Sequence, residues 1–199
     1  MRLIIASNNQ HKVQEIKAIL GDYFEDMCTL KEAGINIDVV EDGTTFQENA
    51  KKKAEEILKI ATEFDASLAD DSGLMVDALN GAPGVYSARY SGEGHNDEQN
   101  NDKLLYELRD VPDDRRSARF VSCIALARRN RETLTVTGYA EGTILHERHG
   151  ENGFGYDPLF FYAPLNKTFA ELTGEEKNAV SHRSCSLALL KTELEKESN

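Results

Sequence analysis

Leu3-Ile4-Ile5-Ala6-Ser7-Asn8-Asn9-Gln10-His11-Lys12, followed by Val13, Ile16, Ile19 and Leu20, is the stretch that decides the fold. Four consecutive apolar residues read as a buried strand, and Ser7–Gln10 reads as a polar turn. The apolar residues behind the turn recur at helical spacing as far as Gly21, a C-terminal stop. A buried strand turning directly into a helix is an α/β opening, and the rest of the chain keeps the alternation. Ile35, Ile37 and Val39 alternate with polar partners and predict a second strand ending at Glu41-Asp42-Gly43. Thr45 and Glu48 form a capping box ahead of Phe46, Ala50, Ala54, Ile57 and Ala61, which predicts a helix over 46–63. Ser67–Ala69 predicts a short strand that delivers Asp70-Asp71-Ser72-Gly73 at its end, and the glycine-rich run 81–94 predicts an ordered loop.

Leu104, Leu105 and Leu108 mark a helix over about 97–109. Two strands, 119–127 and 133–139, flank the turn Arg129-Asn130-Arg131, with 142–145 continuing the sheet. A glycine-rich loop over 150–157 leads to a strand at 159–162. Thr173 and Glu176 repeat the capping box, and Leu187, Leu190 and Leu194 line a last helix. The expected class is therefore α/β, with a mixed sheet flanked by helices. No linker, repeat or biased segment interrupts residues 1–199, so a single domain is expected, in two lobes.

Composition narrows the function. The 199 residues are 40% hydrophobic and 29% charged, as in an ordinary globular protein. Three widely spaced cysteines, Cys28, Cys123 and Cys185, make neither a disulfide scaffold nor a zinc ribbon and point to a reducing compartment. The first apolar run is too short for a signal-peptide core, and no stretch approaches the ~18 apolar residues of a membrane span. A cytoplasmic protein without a membrane partner is expected. The formal net charge is −12, and no basic run exceeds Lys51-Lys52-Lys53, which argues against nucleic acid as a partner. A polyanionic small molecule fits only with local lysines and a divalent cation.

Four constellations carry possible chemistry, each with a plainer reading beside it. Ser7–Lys12 at a helix start is either an anion site or a simple cap. The strand-end carboxylates Glu41, Asp42, Glu48, Asp70 and Asp71 either hold Mg²⁺ or shape turns, and for Asp42 the turn is preferred. Gly153-Phe154-Gly155-Tyr156-Asp157 offers either a stacking platform with an acceptor or a core plug. Lys177 and Ser181-His182-Arg183 are either converging donors or solvated heads at a helix start. His95, His146 and His149 read as surface residues, since two histidines without a third ligand are weak evidence for zinc.

Taken in order, the blocks are specific. Ser7-Asn8-x-x-x-Lys12, Glu41-Asp42-Gly43-x-x-Phe46-x-Glu48-Asn49-Ala50, Ala69–Leu74, Gly81–Tyr90, Gly153–Pro158 and Ser181-His182-Arg183 together resemble the Ham1/RdgB family over essentially the whole chain. That family comprises inosine/xanthosine triphosphate pyrophosphatases. The resemblance implies a homodimer with an elongated mixed sheet and a substrate cleft between two lobes. It also implies Mg²⁺-dependent cleavage of ITP, dITP or XTP between the α and β phosphates. On that resemblance Ser7, Asn8, Asn9, Gln10, His11, Lys12, Lys53 and Lys177 grip the triphosphate. Glu41 and Asp71 hold Mg²⁺. Asp71 is the proton acceptor, with Asp70 or Glu48 able to share that task. Ser72 joins the substrate residues, Phe154 stacks on the base within Phe154-Gly155-Tyr156-Asp157, and Asp157, His182 and Arg183 read its edge. A Maf-like pyrophosphatase for pyrimidine or modified nucleotides is the competing enzyme, and a nucleotide sensor without catalysis is the competing class.

Overall fold

A computed structural model describes all residues except Asp22, Glu25, His95 and Asn199, together with the side chain of Ser198; the expectation for His95 lies outside the described residues. Among the described residues seven strands form one mixed sheet in the order β2-β1-β3-β4-β5-β6-β7. They are β1 Arg2–Ile5, β2 Asp26–Thr29, β3 Ala66–Val76, β4 Ser117–Arg128, β5 Leu134–Ile144, β6 Phe160–Tyr162 and β7 Lys167–Thr168. The helices are α1 Gln10–Leu20, α2 Phe46–Ile60, α3 Asp97–Glu107, α4 Gly174–Val180 and α5 His182–Ser198. β1 runs parallel to both β2 and β3, whereas β6 is antiparallel to β5 and β7. The expected α/β class with a mixed sheet is what the chain adopts.

Contacts divide the chain into two compact units. The first comprises 1–71, 122–138 and 183–199. Its core packs Leu3 and Ile5 of β1 with Ile16 and Leu20 of α1, Leu68 of β3, Ile124 of β4, and Leu187, Leu190 and Leu194 of α5. Each such side chain removed from water contributes about 1.5–3 kcal/mol, which explains why this apolar spacing was legible as helix and strand. The second unit comprises 72–121 and 139–182. Phe120, Phe160 and Phe169 centre its core, with Phe160 lying 4.6 Å from Phe120 and 4.8 Å from Phe169 between ring centroids.

Three expectations about elements need correction. Residues 35–43 form no strand, and the edge strand is β2 instead. Of the alternating residues only Val39 is buried, so that alternation has no sheet face to cover. Second, β3 does not stop at Ala69 but continues through Asp70-Asp71-Ser72-Gly73 to Val76. The two acids therefore lie inside a strand, not in a turn. Third, α2 ends at Ile60 rather than 63, where the Arg129 guanidinium caps it by donating to the carbonyls of Leu58, Ala61 and Phe64.

Candidate active site

In the first unit, the turn after β1 leads into α1 with Asn9 as its cap, the side-chain oxygen accepting from the Lys12 amide at 3.2 Å. Ser7 is buried, and its hydroxyl accepts from the Asn9 amide at 3.2 Å. The cap is thus Asn9 rather than Ser7 or Asn8, and the same turn directs Lys12 onto β3 rather than into solvent. Its ammonium lies 2.9 Å from the Asp70 carboxylate and donates to the Asp70 carbonyl at 3.3 Å. Asp70 is fully enclosed. Arg183 Nε donates to it at 3.2 Å and Ser122 Oγ at 2.7 Å, while Ser186 Oγ lies 2.9 Å from Ser122 Oγ. Glu15, on α1, takes the other side of the Arg183 guanidinium. Burial alone would raise the Asp70 pKa, but the facing charges of Arg183 and Lys12 and the Ser122 hydroxyl overcome it and hold the group well below the usual carboxylate range.

Asp71, next along β3, points to the opposite face, as successive strand residues must. It accepts from Asn49 Nδ2 at 3.0 Å. Burial, with Glu41 and Asp70 as like-charged neighbours, outweighs Lys12 and Asn49 and raises its pKa to about 6. Glu41 is ion-paired to Lys53 of α2 at 2.6 Å. The Asp71–Glu41 repulsion is the condition that a hard divalent cation relieves, and two carboxylates suit Mg²⁺, which completes its shell with water and phosphate oxygens. Among the described residues no group of three or more His, Cys, Asp or Glu gathers to hold a metal. Glu48 is committed to the cap of α2, where it accepts from the Thr44 hydroxyl and amide and from the Thr45 amide at 2.8–3.1 Å. Asp42 pairs with Lys52 at 2.6 Å on the surface.

In the second unit the loop 153–157 closes on itself. Asp157, almost fully buried, accepts from the Phe154 amide at 2.9 Å and pairs with Lys177 of α4 at 2.6 Å. The Lys177 ammonium also sits 4.6 Å above the centre of the Phe154 ring. Gly153 is obligatory, because its φ is +78° and a Cβ there would come within 2.1 Å of the Asp157 carboxylate. Tyr156 is buried and donates to the Ser87 carbonyl at 2.8 Å. His182 stacks on Phe120, with centroids 4.9 Å apart and planes 15° apart. Ser72, also in this unit, follows Asp71 in β3.

Of the expected site residues, the structure brings Lys12 to Asp70, Lys53 to Glu41 and Asp157 to the Phe154 amide. Sequence reasoning expected Lys177 on the triphosphate; here its ammonium pairs with Asp157 and lies over the Phe154 and Phe169 rings. It paired Arg183 with His182, whereas the guanidinium is held by Asp70 and Glu15. Glu15 and Ser122 were missed altogether, and Asn49 was quoted in its block without a role. Glu15 lies three residues after Lys12 on one helix face, and Asn49 is a polar residue in the buried stripe of α2, so both left a signal. Ser122 lies in a run of buried residues and left none.

The model of the Ham1 family matches residues 3–193. A dITP/XTP pyrophosphatase of Clostridium perfringens is 53% identical, covering 97% of each chain. One of Leuconostoc mesenteroides is 52% identical over 94% of this chain and 93% of its own. The Staphylococcus aureus Ham1 protein superposes with a TM-score of 0.89 at 44% identity, covering 99% of this chain and all of that one. With its strand-borne pair of acids, its α1 lysine and its glycine-flanked phenylalanine loop, the chain belongs to the Ham1 family.

Proposed function

We propose that this chain hydrolyses deaminated purine nucleoside triphosphates (ITP, dITP and XTP) to the monophosphate and pyrophosphate, removing them from the nucleotide pool. The observation that carries the reading is Asp71, a carboxylate buried in β3 with Glu41 as a like-charged neighbour, in a family whose relatives are named dITP/XTP pyrophosphatases. Mg²⁺ held by Glu41 and Asp71 would neutralise phosphate charge and acidify a bound water.

The chain's own residues divide the remaining work. The α1 N-terminus, Ser7 to Gln10, His11 and Lys12 take the triphosphate, with Lys53 beside them. Asp71 accepts the proton of the water that attacks the α-phosphorus. Asp70 is less available, being enclosed by Lys12, Arg183 and Ser122, and Glu48 accepts from the cap of α2. Phe154 stacks on the base from the loop that Gly155, Tyr156, Asp157 and Lys177 fix. His182 serves the 6-oxo edge that hypoxanthine and xanthine share, an edge that adenine replaces with an amino group, while the adjacent Arg183 is held by Asp70 and Glu15. The family resemblance also supports a homodimer, which sedimentation velocity checks.

Product analysis with ITP, XTP, dTTP, GTP and ATP, with and without Mg²⁺, tests the whole reading. Monophosphate and pyrophosphate from ITP and XTP, dependent on Mg²⁺, are expected. Release of single phosphate, or preference for dTTP, would overturn it.

A further inference from the structure

Phe154 stands between two glycines in the left-handed region, Gly153 at φ +78° and Gly155 at φ +62°. Two such residues free the ring to swing unless the flanking peptide planes are held from outside. Asp157 holds the loop internally, accepting from the Phe154 amide and donating its own amide to the Phe154 carbonyl at 3.3 Å. Two further holds come from α3. Asp97 accepts from the Gly155 amide at 2.7 Å, which fixes the peptide that follows Phe154. Asn101 donates through Nδ2 to the Gly155 carbonyl at 2.9 Å, which fixes the next one. Residues 97 and 101 are four apart and share one helix face, so a single rigid element grips Gly155 from both sides.

That element is itself anchored. Leu104 and Leu108 are fully buried in the core of the second unit, and Asn100 accepts from the amide and hydroxyl of Ser91 at 2.8 Å. Asn96 caps the helix by accepting from the Gln99 amide at 3.0 Å.

We infer that Asp97 and Asn101 are positioning residues for base recognition, acting through Gly155 to hold the Phe154 ring in its stacking direction. The inference rests on the reading above that Phe154 carries the base. Neither residue needs to touch substrate, and neither has a part in the phosphate grip.

The test separates base from phosphate. Wild type, Asn101→Ala, Asp97→Ala and Asp97→Asn are compared for kcat and KM on ITP, and for inhibition by IMP and by inorganic pyrophosphate with Mg²⁺. Asn101→Ala should raise the KM for ITP and the Ki of IMP about tenfold and leave kcat and pyrophosphate inhibition within twofold. Asp97→Ala, on the surface and expected to fold even if Asn101→Ala does not, should raise both by severalfold. Asp97→Asn keeps an accepting oxygen and should restore most of the loss. Equal weakening of IMP and pyrophosphate, or no change in either variant, overturns the inference while selective ITP hydrolysis by wild type leaves the functional reading intact. A wild type that binds neither ITP nor IMP overturns both.

Discussion

At the scale of single residues, Asp70 and Asp71 are chemically identical neighbours whose environments drive them apart. Asp70 faces Lys12, Arg183 and Ser122, whereas Asp71 meets burial and the charge of Glu41. Asp71→Asn should lower kcat by at least about a hundredfold, since an amide accepts no proton. The melting temperature should hold, because an amide at that buried position carries no charge to desolvate; near-normal turnover at saturating Mg²⁺ would remove Asp71 from the reaction. Asp70→Asn should instead be a stability variant, costing about 3–5 kcal/mol by leaving buried Arg183 short of a partner. The sign of its pH dependence follows from the depressed pKa. The stabilisation is present above the unfolded value of about 4 and is lost as pH falls through the lower folded value, so denaturant curves of wild type and variant should converge in acid. His182→Ala should reduce kcat/KM for ITP by roughly tenfold to a hundredfold while sparing residual activity on ATP. Arg183→Ala should cost stability as well, and an equal fractional loss on ITP and ATP would show that its service to Asp70 outweighs any contact with the base.

Elements differ in how much of their cause is local. The capping box of α2 is written in four consecutive residues, and the structure realises both of its hydrogen bonds. Thr45→Ala should therefore cost about 1 kcal/mol and lower the melting temperature by about 2–4 °C, with activity unchanged per folded molecule. β2 shows the opposite case. Its residues Asp26-Met27-Cys28-Thr29 carry no alternation, and what makes them a strand is the parallel ladder with β1. The stretch 35–43 has the alternation but no partner strand. β3 was truncated by the same blindness. Polar residues at 70–73 look like a turn until Lys12, Arg183 and Asn49 supply their partners, and those lie 22 to 113 residues away. The constellations of the site were legible because they are short motifs, whereas the pairings of Lys177 and Arg183 depend on which distant elements the fold brings up to them.

Over the whole molecule, a net charge of −12 means that any grip on a triphosphate is a local exception to the field. Ligand linkage gives a test free of turnover. With Asp71→Asn and Mg²⁺, ITP at about a hundred times its Kd should add about 2.7 kcal/mol to stability, raising the melting temperature by about 5–10 °C, and equal ATP should add less. Equal shifts would place recognition in the phosphates alone. The first unit contains Lys12, Glu41, Lys53 and Asp71, and the second contains the Phe154 loop with its α3 grip. On the proposed reading, a substitution at Asp97, Asn101, Phe154 or Lys177 would change how the nucleobase is held while Lys12, Glu41, Lys53 and Asp71 stay in place. A lineage confronted with a new damaged nucleotide can thus diverge by drift in one short segment, and a library randomised at those four positions and selected on a foreign base is the laboratory form of that history.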